Sequence, residues 1–165
     1  FHRPIQGMAY PYGTYSDQVV EILRNCGIRY CRTVISTEKF DMPSDWLRLP
    51  ATCHHRNPKL MELANQFLSD SPYPTPRLFY LWGHSYEFVN DDNWCVIESF
   101  AEKISNKEDI WYATNMEIYN YIEAYNMLTF SLDGSVVSNP TATELWFHAN
   151  GETICVKHGE TKKIR

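Results

Sequence analysis

Hydrophobic positions in this chain fall into short apolar blocks and helical stripes that take turns along its first two thirds. Pro4 to Tyr10 is a brief apolar stretch running into Pro11-Tyr12-Gly13, the pattern of a buried strand ending in a tight turn. Ser16 then stands where a helix cap belongs, Val19, Val20, Ile22 and Leu23 share one face, and Gly27 follows as a stop. Ile28 to Val34 reads as a second strand, followed by a long mixed loop over 35–57. Pro58 opens the first turn of a helix reaching Leu68.

Three prolines between Ser71 and Pro76 mark a connection, and Arg77-Leu78-Phe79-Tyr80-Leu81-Trp82 is the strongest strand signal, nearly all apolar. A helix over 93–104, a strand over Ile110 to Ala113 and a helix over 115–125 complete the series. Strand and helix thus alternate four times, which calls for a parallel sheet with helices outside it. Eight such units close a barrel of about 250 residues, so the expected architecture is α/β, a partial (β/α) barrel over residues 1–126.

Beyond Tyr125 the period changes. Two apolar runs flank Asp133-Gly134 and two more flank Asn150-Gly151, strong signals for hairpin turns. Residues 127–165 are therefore expected to form a small antiparallel β appendage.

Composition narrows the partners. The 165 residues are 44% hydrophobic, 15% aromatic and 21% charged, with a net charge of −5. No basic cluster exceeds Lys162-Lys163, so neither nucleic acid nor an anionic membrane finds the positive surface it needs. No apolar run approaches the roughly 20 residues of a membrane span. Five cysteines, an odd number without CxxC spacing, fit reduced thiols and a cytoplasmic home.

Reactive groups in a parallel sheet collect just past the carboxyl ends of the strands. His84 leaves its strand through Gly83, and an imidazole there suits general-acid work near neutral pH. Tyr12 sits in a proline-braced turn whose fixed backbone N–H can face a developing oxyanion. Asp41 and Asp45 with Trp46 place carboxylates and an aromatic in the long loop, and Tyr10 and Trp82 add aromatic surface that a sugar ring can stack upon. Cys53-His54-His55 has metal-ligand chemistry, but adjacent strand residues point to opposite faces, and no His-x3-His or His-x4-His pair occurs.

Ala9-Tyr10-Pro11-Tyr12-Gly13 resembles the third motif of the NodB-homology polysaccharide deacetylases, Arg-x-Pro-Tyr-Gly, and Leu81-Trp82-Gly83-His84 resembles the family's last motif, Leu-x-His, with one extra residue. The resemblance covers residues 1–125, the family's C-terminal half. It implies a distorted (β/α) barrel that removes N- or O-acetyl groups from sugars with a divalent metal, often zinc. It implies His84 as general acid and Tyr12 as oxyanion donor; Tyr10, Trp46, Trp82 and Asp45 are the expected substrate contacts beside them.

In that family the metal-binding Asp, the base and the histidine pair precede the third motif, outside these residues, and Ala9 stands where the family has Arg. The chain alone is accordingly expected to hold no metal tightly, to be inactive by itself, and to cover its open strand edges by self-association. The alternative expectation is a non-catalytic carbohydrate-binding or assembly module.

Overall fold

The structure is a computed structural model that describes residue 2, residues 4–69 and residues 75–165; most of the proline-rich connection expected from Ser71 onward lies outside the described residues. The chain divides into two units, Phe1–Tyr112 and Ala113–Arg165.

In the first unit, strand β1 (Gly7–Ala9) pairs in parallel with β2 (Tyr30–Ser36), Gly7 opposite Tyr30 and Ala9 opposite Arg32. The crossover between them is helix α1 (Asp17–Asn25), and Ser16 caps it by accepting the Val19 N–H on its hydroxyl. Strand β2 pairs in parallel with β3 (Leu49–Ala51), and β4 (Cys53–His54) pairs in parallel with β5 (Leu81–Trp82). Only Thr52 separates β3 from β4. Its N–H donates to the Tyr80 carbonyl at 2.8 Å, and its hydroxyl accepts the Tyr80 N–H and donates to the Leu78 carbonyl. The side chain thereby replaces ladder bonds where the strand breaks. Helix α2 (Leu60–Leu68) links β4 to β5, and α3 (Ser85–Asn90) and α4 (Trp94–Ile104) follow.

Two apolar clusters hold this unit. Tyr10, Val20, Cys31 and Leu47 are buried together with Met8, Leu23 and Ile28 around them, which fastens α1 to the β1–β2 pair. Cys53, Leu60, Leu63, Ala64 and Phe100 form the other, with Phe40, Phe79 and Leu81 against it, where α2 and α4 meet the strands. A fully buried leucine contributes about 2 kcal/mol through its burial, so such small clusters support short strands only.

The second unit begins with helix α5 (Asn115–Asn126). Thr114 caps it in a two-way arrangement, its hydroxyl accepting the Glu117 N–H while the Glu117 carboxylate accepts the Thr114 N–H. Strands β6 (Thr129–Phe130), β7 (Val136–Ser138) and β10 (Thr161–Lys163) form an antiparallel sheet in the order β10-β7-β6. Strands β8 (Leu145–Ala149) and β9 (Glu152–Val156) form a separate hairpin, as the Asn150-Gly151 turn predicts. Asn139, fully buried, ties the loop after β7: its amide donates to the carbonyls of Thr143, Val156 and Lys157, and its oxygen accepts from Thr141.

The molecule is thus mixed α/β, with small sheets and no closed barrel among the described residues. Three local expectations differ. Ile110 to Ala113 forms no strand, because the Tyr112 hydroxyl donates to the Ile104 carbonyl at 2.6 Å and accepts the Lys107 N–H at 2.9 Å, folding this segment back on the end of α4. The strand expected over 77–82 contracts to Leu81–Trp82, since Thr52 takes the bonds upstream. The loop expected over 35–57 instead carries the turn Trp46–Arg48 and strands β3 and β4, because the chain there pairs with β2 and β5, and helix α3 and strand β10 lie outside the expected elements. No helix among the described residues is long and apolar enough to cross a membrane, and the five cysteines are free thiols.

Candidate functional site

Strands β1 to β3 pair in parallel in one sheet and β4 with β5 in another, so within each sheet the carboxyl ends lie on one side. Trp82, Gly83 and His84 leave that side from β5; His54 and His55 leave it from β4. His54 is the last residue of its strand, and the chain turns at His55. The alternation that would send adjacent side chains to opposite faces stops there, and both imidazoles converge on Glu87 of α3.

Glu87 is 7% exposed and His55 4% exposed. Glu87 Oε2 accepts the His84 backbone N–H at 3.0 Å and lies 3.2 Å from His54 Nε2 and 3.1 Å from His55 Nε2. The other carboxylate oxygen, Oε1, is paired with the Arg56 guanidinium at 2.8 Å, and Arg56 is held from its far side by Asp91 at 2.7 Å. His54 stacks edge-on with Trp82 at 4.5 Å, and His55 with Phe88 at 4.2 Å. The His55 N–H donates to the Trp82 carbonyl, and Gly83 lies flat against the His55 ring.

Burial disfavours the charged imidazolium and lowers both His54 and His55, with His55 adding to the effect on His54. Burial pushes the Glu87 carboxyl upward, but the His84 N–H and the neighbouring His54, Arg56 and His55 outweigh it and leave Glu87 below the usual value.

His84 itself is exposed, its ring stacked on Tyr86 at 5.2 Å and edge-on to Trp82 at 6.0 Å. Trp82 also carries the guanidinium of Arg32 at 4.2 Å, and Arg32 is the residue paired with Ala9 across β1 and β2. Strand β2 is thereby connected to the exit of β5.

The remaining sequence candidates stand apart. Tyr12 is fully solvent-exposed and has a left-handed backbone, φ 54°, uncommon for a residue with a side chain and a place to look for function. Tyr10 is 4% exposed; its ring stacks on Tyr15 and its hydroxyl donates to the Leu47 carbonyl at 2.8 Å. A ring committed to the core in this way offers no free face to a sugar. Burial and the adjacent Cys31 push its hydroxyl up to about 12. Asp45 caps the single helical turn Trp46–Arg48 through the Leu47 N–H and is ion-paired with Arg48, which also holds Asp17 at 2.6 Å. Trp46 is half-buried on that turn. A cavity of about 270 Å³ opens beside this loop, with Lys39, Asp41, Ser44 and Tyr80 on its wall. The contacts of His84 include Trp82, Tyr86 and Glu87, and among the described residues they do not extend to Tyr12 or Asp45.

Sequence reasoning set His54 and His55 aside on strand alternation. The sequence does point to Glu87 as a partner of His84, through the His84-x-x-Glu87 spacing of a helix-start capping pair, and the carboxylate takes the His84 backbone N–H.

His54, His55 and Glu87 are the group with metal-ligand reach among the described residues, their candidate atoms lying within 4.8 Å of one another. The donor set does not fit a divalent ion. His54 Nδ1 accepts the Arg56 backbone N–H at 3.1 Å, so the proton of neutral His54 is on Nε2, the atom facing the cluster. A ligand nitrogen needs that lone pair free. Glu87 is moreover already neutralised by Arg56. Comparison with protein-family models, with curated proteins and with solved structures finds no match for this chain.

Proposed function

We propose that this chain is the C-terminal part of a carbohydrate deacetylase of the NodB-homology type, a partial (β/α) barrel that takes part in hydrolysing N- or O-acetyl groups on sugars. The observation that supports the reading is that Tyr10-Pro11-Tyr12-Gly13 directly follows the parallel strand β1 and Gly83-His84 directly follows the parallel strand β5. His84, exposed and held at its backbone by Glu87, is the general acid that protonates the departing amine or alcohol of the sugar. The backbone N–H of Tyr12, in a turn of set conformation, is the donor toward the oxyanion. Trp82 and the exposed ring of Tyr86 supply aromatic surface beside the acid. The metal that the resemblance implies does not fit the ligands present here, and no step of this reading runs through it.

The test is acetate release from acetylated chitin and xylan oligosaccharides by the natural protein containing this chain. His84→Ala is expected to lower turnover by about 10²- to 10⁴-fold with an unchanged melting temperature. A natural protein that releases no acetate from either substrate, or a His84→Ala variant of full activity, overturns the reading.

A further inference from the structure

Three nitrogens crowd one oxygen in this molecule. Glu87 Oε2 has the His84 backbone N–H at 3.0 Å, His55 Nε2 at 3.1 Å and His54 Nε2 at 3.2 Å. A carboxylate oxygen offers about two lone-pair directions, and the His84 N–H occupies one. The two imidazoles compete for the other. The outcome is visible at His55, whose Nδ1 and Nε2 are both buried without a hydrogen bond among the described residues. Leaving a buried donor unsatisfied costs about 1–3 kcal/mol, and a cost of this kind inside a native cluster points to a role beyond packing.

His55 also grips the exit of β5 at Trp82 and Gly83. Its backbone N–H holds the Trp82 carbonyl at 2.9 Å, and its ring lies where any side chain at position 83 would stand. The Glu87 carboxylate holds the His84 backbone N–H, while Tyr86 and Trp82 set its ring.

We infer that Glu87 and His55 together form a clamp that positions His84, in which Glu87 fixes the His84 backbone and His55 fixes the strand exit before it. His54 Nε2, 3.2 Å from the same oxygen, borders the Glu87 carboxylate, and Arg56, backed by Asp91, neutralises it. Glu87 and His55 are positioning residues in this arrangement. That His84 is the acid they position rests on the deacetylase reading; the clamp itself does not.

Histidine ¹⁵N NMR on the whole chain separates the two. The His54 ring is expected to report the Nε2-protonated tautomer at pH 7.5. Glu87→Ala is expected to abolish the ring-current shift that Tyr86 imposes on His84, whereas Glu87→Gln, which keeps an acceptor for the His84 N–H, retains it. Zinc chloride at tenfold excess is expected to leave the His54 and His55 signals in place. An unchanged His84 signal in a folded Glu87→Ala variant overturns the clamp, and if that variant is unfolded, loss of the shift in folded Glu87→Gln does the same. Stoichiometric zinc binding that suppresses the His54 and His55 titrations replaces the clamp with a metal site. If the natural protein releases acetate, Glu87→Ala is expected to lower kcat with KM little changed and Glu87→Gln to recover most of it. Absence of acetate release with the NMR results as expected removes the deacetylase reading and leaves the clamp standing.

Discussion

Gly83 and His55 are in closer contact than any other residue type at position 83 would allow: a Cβ there would stand 2.8 Å from His55 Cδ2 and 2.9 Å from Cγ and Nδ1. A ring held by its own backbone bond to Trp82 has little room to retreat. Gly83→Ala is therefore expected to destabilise the first unit by about 1–3 kcal/mol, the cost of overpacking a filled site. Urea unfolding checks the size. Adding His55→Ala is expected to recover much of the loss, and a double variant no more stable than Gly83→Ala would show that the clash is elsewhere.

Acid should weaken the same region. His54 and His55 are held below the ordinary histidine value of 6.5, so the folded chain binds fewer protons there than the unfolded chain. Their contribution to stability is complete above about 6.5 and is lost as pH falls through that value toward the folded ones. Glu87, held below 4.5, adds a further loss at lower pH. Chemical denaturation from pH 7.5 to 5 is expected to show falling stability, with a shallower slope when His54 and His55 are both replaced by Gln. An identical slope in the double variant would refute this assignment.

Tyr10→Phe tests how firmly the Tyr10-Pro11-Tyr12-Gly13 segment is built into the core. Removing the hydroxyl leaves the Leu47 carbonyl without this partner and is expected to cost about 1 kcal/mol. Because burial and Cys31 push the hydroxyl up to about 12, alkaline titration should show one tyrosine ionising late and absent from the variant. A Tyr10→Phe protein that still contains the late tyrosine would contradict the assignment.

Asn139→Ala should be among the most damaging substitutions in the second unit. It strips three carbonyls and the Thr141 N–H of their shared partner at a fully buried position. The expected loss is about 2–5 kcal/mol, in the range of a broken buried network. Hydrogen exchange at Val156 and Lys157, measured on the intact chain, should accelerate; unchanged protection there would argue against the role assigned to Asn139.

How much of this was legible beforehand depended on whether the information was local. Ser16 before α1, Thr114 before α5 and Asn150-Gly151 between β8 and β9 are local signals, and the corresponding elements form where they direct. The strand at Ile110 failed because the deciding contact, Tyr112 to Ile104, is a side-chain bond that periodicity does not register. The polar strand β10, with Thr161 and two lysines, carries no hydrophobic alternation and exists because β7 offers an edge. In the candidate site, His84 is singled out by its place after an apolar run. The pairing of His54 with His55 was hidden because the end of β4 falls between them, a boundary one residue wide.

The Thr52 break has a mechanical consequence for the long segment ahead of it. Thr52 is fastened to Leu78 and Tyr80 on one side, and its carbonyl takes the Glu38 N–H on the other, so the register of His54 and His55 is locked within two residues of their own strand. Lengthening or shortening the chain between Asp41 and Ser44, beyond the Phe40 carbonyl that accepts the Leu78 N–H, leaves that anchorage untouched. One residue inserted between Thr52 and His54 would rotate the histidines out of phase with Glu87. The loop is free to diversify; the two positions beside the threonine are not.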